Sequence, residues 1–357
     1  MPERALARVS CGAIERNCAL LHSKLAGRAE LCAVVKADGY GHGAERSARA
    51  ALAGGATRLA VATAREAAAL REAGIGGPLL VMGALTPADL RIALEAGAEV
   101  TVWTHALADA LPPDARAHVK LDTGMGRLGT KDAQLALELC ERVNLAGVMT
   151  HFATADERGD EHFPRQIARF TEFVREVKAR HPAAVAHAAN SAAVLRDTAS
   201  HFDMVRCGVA IYGLDPFQGD PRAEGLEPAL ELESYVASVK RFEPGDSAGY
   251  GRTWAAREPT DVAVLPIGYG DGWRRGLSNN AEVLIRGHRH PLVGTVSMDN
   301  VTVDLGAGTD VEVGDRALLI GRDGGEEILA EEVARRLRTI NYEVTCGLTA
   351  RVARRDA

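Results

Sequence analysis

Eight strand-sized apolar runs, each bounded by turn residues and followed by a stretch with helical spacing, occupy the first two-thirds of the chain. They are Leu31 to Val35, Leu59 to Ala62, Pro78 to Met82, Val100 to Trp103, Ala117 to Leu121, Leu145 to Thr150, Val185 to Ala188 and Met204 to Arg206. Alternating strand and helix implies a parallel sheet, and eight such units can close it into a barrel. The segments Ala44 to Leu52, Ala64 to Ala73, Pro87 to Ala96, Asp132 to Val143 and His162 to Arg180 carry apolar residues three and four apart. Thr86-Pro87 offers a cap followed by proline at the first helical position. After about Pro228 the pattern changes to alternating or continuous apolar segments between Gly-, Asp- and Pro-rich turns, with one helix expected over Leu329 to Leu337. The sequence therefore predicts an α/β fold: an N-terminal (β/α)8 TIM-type barrel over residues 1–225, then a mostly β C-terminal domain over residues 226–357, joined near Pro221 to Pro228.

Composition narrows the function. A chain of 357 residues with 46% apolar side chains can fill two ordinary cores. Its 42 Lys and Arg against 48 Asp and Glu leave a net charge of −6, with both signs dispersed, which argues against a nucleic-acid partner. Six cysteines at scattered spacings, with no Cys-x-x-Cys, read as free thiols in a reducing compartment, and no metal site is expected. No apolar stretch reaches membrane-spanning length and the N-terminus has no signal-like core, so a cytoplasmic protein without a membrane partner is expected.

A barrel of this kind carries its chemistry at the C-terminal ends of its strands. The first run ends in Lys36-Ala-Asp-Gly-Tyr40-Gly-His-Gly, the fifth in Lys120-Leu-Asp-Thr-Gly-Met-Gly-Arg127, the sixth in His151, the seventh in His187-Ala-Ala-Asn190-Ser191 and the eighth in Arg206-Cys-Gly208-Val209. Singly, each has an ordinary structural explanation: a snorkelling lysine, a buried histidine, a glycine turn. Together they converge on one mouth. A lysine ending an apolar strand is desolvated, which lowers its pKa and suits it to attack an aldehyde. Phosphate sites in such barrels use the loops after the seventh and eighth strands, here Asn190-Ser191 and Gly208-Val209. A reactive lysine plus a phosphate cradle suggests pyridoxal 5'-phosphate, with Arg206 as a candidate partner for its ring nitrogen.

Several segments resemble the alanine racemase family in the family's order and over nearly the whole chain. They include Ala33-Val-Val-Lys-Ala-Asp-Gly-Tyr-Gly-His-Gly, Lys120-Leu-Asp-Thr-Gly-Met-Gly-Arg-Leu-Gly, Ala189-Asn-Ser-Ala-Ala, Arg206-Cys-Gly-Val-Ala-Ile-Tyr-Gly-Leu, Gly249-Tyr-Gly-Arg-Thr, Pro266-Ile-Gly-Tyr-Gly-Asp-Gly and Ile340-Asn-Tyr-Glu-Val. The resemblance implies interconversion of L- and D-alanine to supply cell-wall peptidoglycan, and a homodimer whose active sites are shared between chains. By the same resemblance Lys36 holds the cofactor covalently, Tyr40, Ser191, Gly208, Val209 and Tyr342 hold its phosphate, and Arg206 meets the ring nitrogen. Asn190 belongs to the same cradle, and His151 and His187 are neighbours behind the arginine and the catalytic tyrosine. Arg127 and the backbone of Met298 contact the substrate carboxylate, Tyr269 lines the entrance, and Lys120 matches a lysine that is carbamylated in many relatives.

Racemisation needs acid–base groups on both faces of a planar carbanion, and one lysine serves only its own face. Tyr250 is expected to be the second base; by position alone it is an aromatic in a Gly-rich turn, and the resemblance gives it the role. An arginine cannot take a proton from the ring nitrogen, so Arg206 implies a weakly delocalised carbanion and few side reactions. Ser297 and Asn300 stand where relatives often have cysteine and glutamine, which leaves substrate breadth, alanine alone or serine as well, open. Three rivals remain. A barrel-type decarboxylase for basic amino acids calls for a longer glycine-rich phosphate loop and a cysteine-centred motif that are absent, a cofactor-carrying barrel protein lacks a second domain, and an inactive relative is not expected to keep both Lys36 and Tyr250.

Overall fold

Leu31, Ala33, Val148 and Val205 are buried in strands that close on themselves. In the computed structural model, which describes residues 3–357, the chain divides into two compact units. Gly12–Glu227 is a closed parallel barrel of eight strands, β2 (Glu30–Val34), β3 (Arg58–Val61), β4 (Leu79–Val81), β5 (Glu99–Val102), β6 (Arg116–Lys120), β7 (Asn144–Met149), β8 (Val185–His187) and β9 (Met204–Cys207). Pairing of β2 with both β3 and β9 closes it. Each strand falls on one of the eight apolar runs. The fold class is that predicted from sequence: a closed eight-stranded barrel followed by a mostly β domain.

Helix starts follow their capping chemistry. Thr86 accepts from the Asp89 N–H while Asp89 reaches back to Thr86, with Pro87 in the first turn, and Thr63 with Glu66 builds the same reciprocal box before Ala64–Glu72. The long helix His162–Arg180 buries Phe163, Phe170, Phe173 and Val177 at helical spacing, and Phe163 meets Phe152 edge-on at 4.9 Å between centroids. Truncating one of these rings to alanine costs about 3–5 kcal/mol.

Register partners in a parallel sheet share a face, so the partnered series Cys32–Arg206, Thr101–His118 and His118–Gly147 marks the barrel interior. That interior is unusually polar: Glu99, His118, His187 and Arg206 are 8%, 1%, 0% and 4% exposed. Buried titratable groups survive only when hydrogen-bonded, so these side chains have to satisfy one another.

The second unit comprises, among the described residues, 3–11 and 228–357. The strand β1 (Leu6–Val9), which the sequence reading counted within the 1–225 barrel, pairs antiparallel with Leu230–Tyr235 and parallel with Ala353–Asp356. Its residues Leu6, Ala7 and Val9 are buried on both sides, a pattern that suits the interior of a sheet. The rest of this ten-stranded sheet is antiparallel, and in Val301–Gly306 buried Val301, Val303 and Leu305 alternate with Thr302 and Asp304. Among the described residues no helix is long and apolar enough to cross a membrane.

Candidate active site

Lys36 follows β2 after one residue, Val35, and is half-buried at the C-terminal rim of the barrel. The chain beyond it does something L-residues avoid. Ala37, Asp38, Gly39 and Tyr40 all lie in the left-handed region, with φ of 52°, 51°, 61° and 52°. Glu66 accepts from the Ala37 N–H at 2.7 Å, and Asp38 Oδ1 accepts from the Ala44 N–H at 2.9 Å, so the turn is fixed at both ends. It carries Tyr40 inward, where a Cβ on Gly208 would lie 2.4 Å from the tyrosine oxygen. Only glycine permits that approach.

The loops after β8 and β9 meet through a side chain. Ser191 Oγ accepts from the Gly208 N–H at 3.1 Å and from the Ala210 N–H at 3.3 Å. Asn190 caps the helix Ser191–Arg196 by accepting from the Ala193 N–H, and Val209 opens the short turn Val209–Tyr212. Arg206 is buried below this rim. Its Nη2 donates to the carbonyls of Thr150 at 2.8 Å and Ala188 at 3.0 Å, with His151 Nδ1 at 3.3 Å, and its Nη1 meets His187 Nδ1 at 2.8 Å. Its Nε makes no hydrogen bond among the described residues, leaving one donor of an otherwise buried guanidinium for a ligand.

Electrostatically the rim is cationic. Burial, with Arg206, Arg127 and Lys36 nearby, pulls the Lys120 ammonium down to about 8, against a weaker pull upward from Asp122. Burial and the same cations hold His151 well below its ordinary value, so its imidazole is neutral. Asp122 stays ionised because its carboxylate accepts from the N–H groups of Gly124, Met125 and Gly126, which outweighs its burial. That clasp shapes the loop that presents exposed Arg127. Such a rim attracts an anion.

Four sequence-expected residues lie in the other unit. Tyr250, 73% exposed, sits in a turn whose carbonyl accepts from Thr295 Oγ1 at 2.7 Å. Tyr269 and Met298 are on two loops tied together by the Tyr269 N–H to Ser297 O and Gly270 N–H to Met298 O bonds, at 3.0 and 2.9 Å. Buried Asp271, ion-paired with Arg4 and Arg351, and an Arg351–Asp299 pair at 2.6 Å brace the same loops. Tyr342 lies in the first turn of Asn341–Cys346, anchored by Asn341 Nδ2 donating to Glu331 Oε1 at 2.7 Å. Glu66, Glu99, His118 and Asp271 were not singled out from sequence, and Asp122 was placed at the end of the fifth run without a role. For Glu99 and His118 the sequence offers only a lone titratable residue, at the start of β5 and inside β6.

The alanine racemase N-terminal domain family matches residues 9–216, and the corresponding C-terminal domain family matches residues 229–356. The chain belongs to the alanine racemase family. Members are isomerases, and the chain is an enzyme of that class. An alanine racemase of Symbiobacterium thermophilum is 42% identical over 362 residues, covering 98% of this chain and 96% of the relative. One of Geobacillus stearothermophilus is 42% identical over 363 residues, covering 98% and 92%. Among solved structures, the alanine racemase from D-cycloserine producing Streptomyces lavendulae superimposes with a TM-score of 0.93 at 35% identity, covering 100% of this chain and 98% of that one. The Bacillus anthracis alanine racemase with bound L-Ala-P gives 0.90 at 36% identity, covering 100% and 96%.

Proposed function

We propose that this chain interconverts L-alanine and D-alanine by two-base proton transfer with pyridoxal 5'-phosphate as cofactor, supplying D-alanine for cell-wall peptidoglycan. The observation that carries this reading is the combination on one barrel rim of Lys36, the Ser191–Gly208 loop pair and the open Nε donor of Arg206. These residues fit the cofactor. A guanidinium donor suits a ring nitrogen that accepts, and the close approach of the Tyr40 hydroxyl to the Gly208 backbone brings a hydroxyl donor beside the loops after β8 and β9, which suits a phosphate. Lys36 would hold the cofactor covalently; Tyr40, Asn190, Ser191, Gly208, Val209 and Tyr342 would hold the phosphate, and His151 would support Arg206.

When bound, the cofactor supplies an electron-withdrawing system that acidifies the substrate Cα–H. Lys36 Nζ removes or returns the proton on one face, and Tyr250 Oη acts on the other. Arg127 and the Met298 N–H bind the substrate carboxylate; that N–H makes no hydrogen bond among the described residues, which leaves it for a ligand. Tyr269 lines the entrance. Arg206 donates to the ring nitrogen without surrendering its proton, because a guanidinium remains charged even when burial lowers its pKa to about 10. A carbamate on Lys120, formed by its amine with CO2 and release of a proton, would exchange a crowded cation for an anion that steadies Arg127. A homodimer fits the exposure of Tyr250, Tyr269, Met298 and Ile340, at 73%, 41%, 51% and 48%.

Borohydride reduction followed by peptide mapping should find the cofactor adduct on Lys36; an adduct on another lysine would overturn the assignment. In Tyr250→Phe, racemisation should fall by roughly 10²–10⁴-fold in both directions. Exchange of the D-alanine α-proton for solvent deuterium should persist while exchange from L-alanine collapses. Equal residual exchange from both enantiomers would remove Tyr250 as a separate base.

A further inference from the structure

Arg206 is the upper end of a hydrogen-bonded column that runs down the inside of the barrel. Its Nη1 meets His187 Nδ1 at 2.8 Å, His187 Nε2 meets His118 Nδ1 at 2.8 Å, and His118 Nε2 meets Glu99 Oε2 at 2.7 Å. Glu99 begins β5, so the column ends at the opposite rim from Lys36. There Glu99 accepts from Arg116 Nε at 2.8 Å and Arg58 Nη1 at 3.1 Å. Gly147 on β7 makes room for the ring: a Cβ there would lie 2.7 Å from His118 Nδ1, besides 2.3 Å from the Val185 carbonyl.

The two ends dictate the direction of every bond between them. A guanidinium only donates, so His187 Nδ1 must accept; a neutral imidazole has a single N–H, so His187 Nε2 must donate to His118 Nδ1. His118 then carries its proton on Nε2 and donates it to Glu99, which as a carboxylate only accepts. A second proton on either ring would set donor against donor. The environment agrees: burial lowers the pKa of both histidines, and Glu99, despite its burial, is held down to about 2 by His118, Arg116 and Arg58.

We propose that Glu99 is a positioning residue for racemisation, which fixes the tautomers of His118 and His187 and thereby the orientation of Arg206 across the full height of the barrel. The role given to Arg206 rests on the function proposed above; the tautomers do not. The chain's own carboxylate thus takes part at a distance, without contact with substrate or cofactor.

The test is ¹⁵N-histidine NMR of the holoenzyme together with steady-state kinetics. Wild-type protein should show His118 and His187 as single, neutral Nε2–H tautomers at and above neutral pH. Glu99→Gln keeps the volume while presenting His118 with an amide that can donate as well as accept, so Nδ1–H forms should appear at both histidines. The kcat should then fall about 2–10-fold, as expected for one misdirected hydrogen bond, with KM unchanged. Glu99→Ala, which removes the acceptor, should do the same, and added formate should restore part of kcat. A merely structural Glu99 would lower the melting temperature and leave tautomers and kcat alone. An Nδ1–H or doubly protonated ring in the wild type overturns the proposal even if neither variant folds. So does a tautomer change without a change in kcat, or a fall in kcat with wild-type tautomers. If the chain were not a racemase, wild-type turnover would itself be absent, while the tautomers would still be read.

Discussion

Lys120 concentrates the conflict of the rim in one side chain. It is 6% exposed and faces three other cations, and its pKa is lowered to about 8 by burial first and those charges second. The unfolded chain therefore binds a proton that the folded chain binds less tightly, and the stability cost is full below pH 8 and relieved as pH rises toward about 10.4. The denaturation midpoint of wild-type protein in CO2-free buffer should rise relative to Lys120→Met between pH 7.5 and 10. The difference should be on the order of 3 kcal/mol across the window. A carbamylated Lys120 does not titrate there, so repeating the comparison in bicarbonate should flatten the curve. A flat curve in both buffers would mean the ammonium is not the destabilised species.

At the scale of elements, the left-handed turn after β2 sets Tyr40 against Gly208. Left-handed backbone costs an L-residue roughly 1–2 kcal/mol, and Ala37 is exposed, so its side chain contributes little packing to offset that. Ala37→Gly should raise thermal stability by about 0.5–1 kcal/mol, and Ala37→Val should lower it, both followed by calorimetry. The eight strands were legible because buried parallel strands are continuous apolar runs between turn residues. The helix Cys11–Lys24 was passed over although Ala13, Ile14, Cys18 and Leu21 are spaced for it, since it precedes the strand–helix alternation. Segment Leu230 to Lys240 reads as one strand but breaks into Leu230–Tyr235 and Ser238–Phe242, which pair with different neighbours. The rim residues were legible through the ends of the runs. Glu99 and His118 were not, because a single polar residue inside a strand carries no periodicity; what gives each meaning is a partner on another strand.

On the scale of the whole molecule, the candidate residues divide between the two units: Lys36 and Arg206 in one, Tyr250 and Tyr342 in the other. On the proposed reading that a homodimer shares its sites, mixing inactive Lys36→Ala and Tyr250→Phe chains should recover about a quarter of wild-type activity, since half the dimers are mixed and each has one intact site. No recovery, with subunit exchange demonstrated, would put both bases on one chain. The pairing of β1 has a further consequence, for the order in which the protein is made. Both neighbours of this strand come from beyond the barrel, and its parallel partner Ala353–Asp356 emerges about 340 residues later. At ribosomal speeds of about 5–20 residues per second, that is roughly 20–70 s during which Leu6, Ala7 and Val9 lack at least one of their two neighbours. The barrel can close in that interval and the β unit cannot, so the newborn chain carries a finished scaffold at its middle and an apolar strand at its front, waiting for its tail.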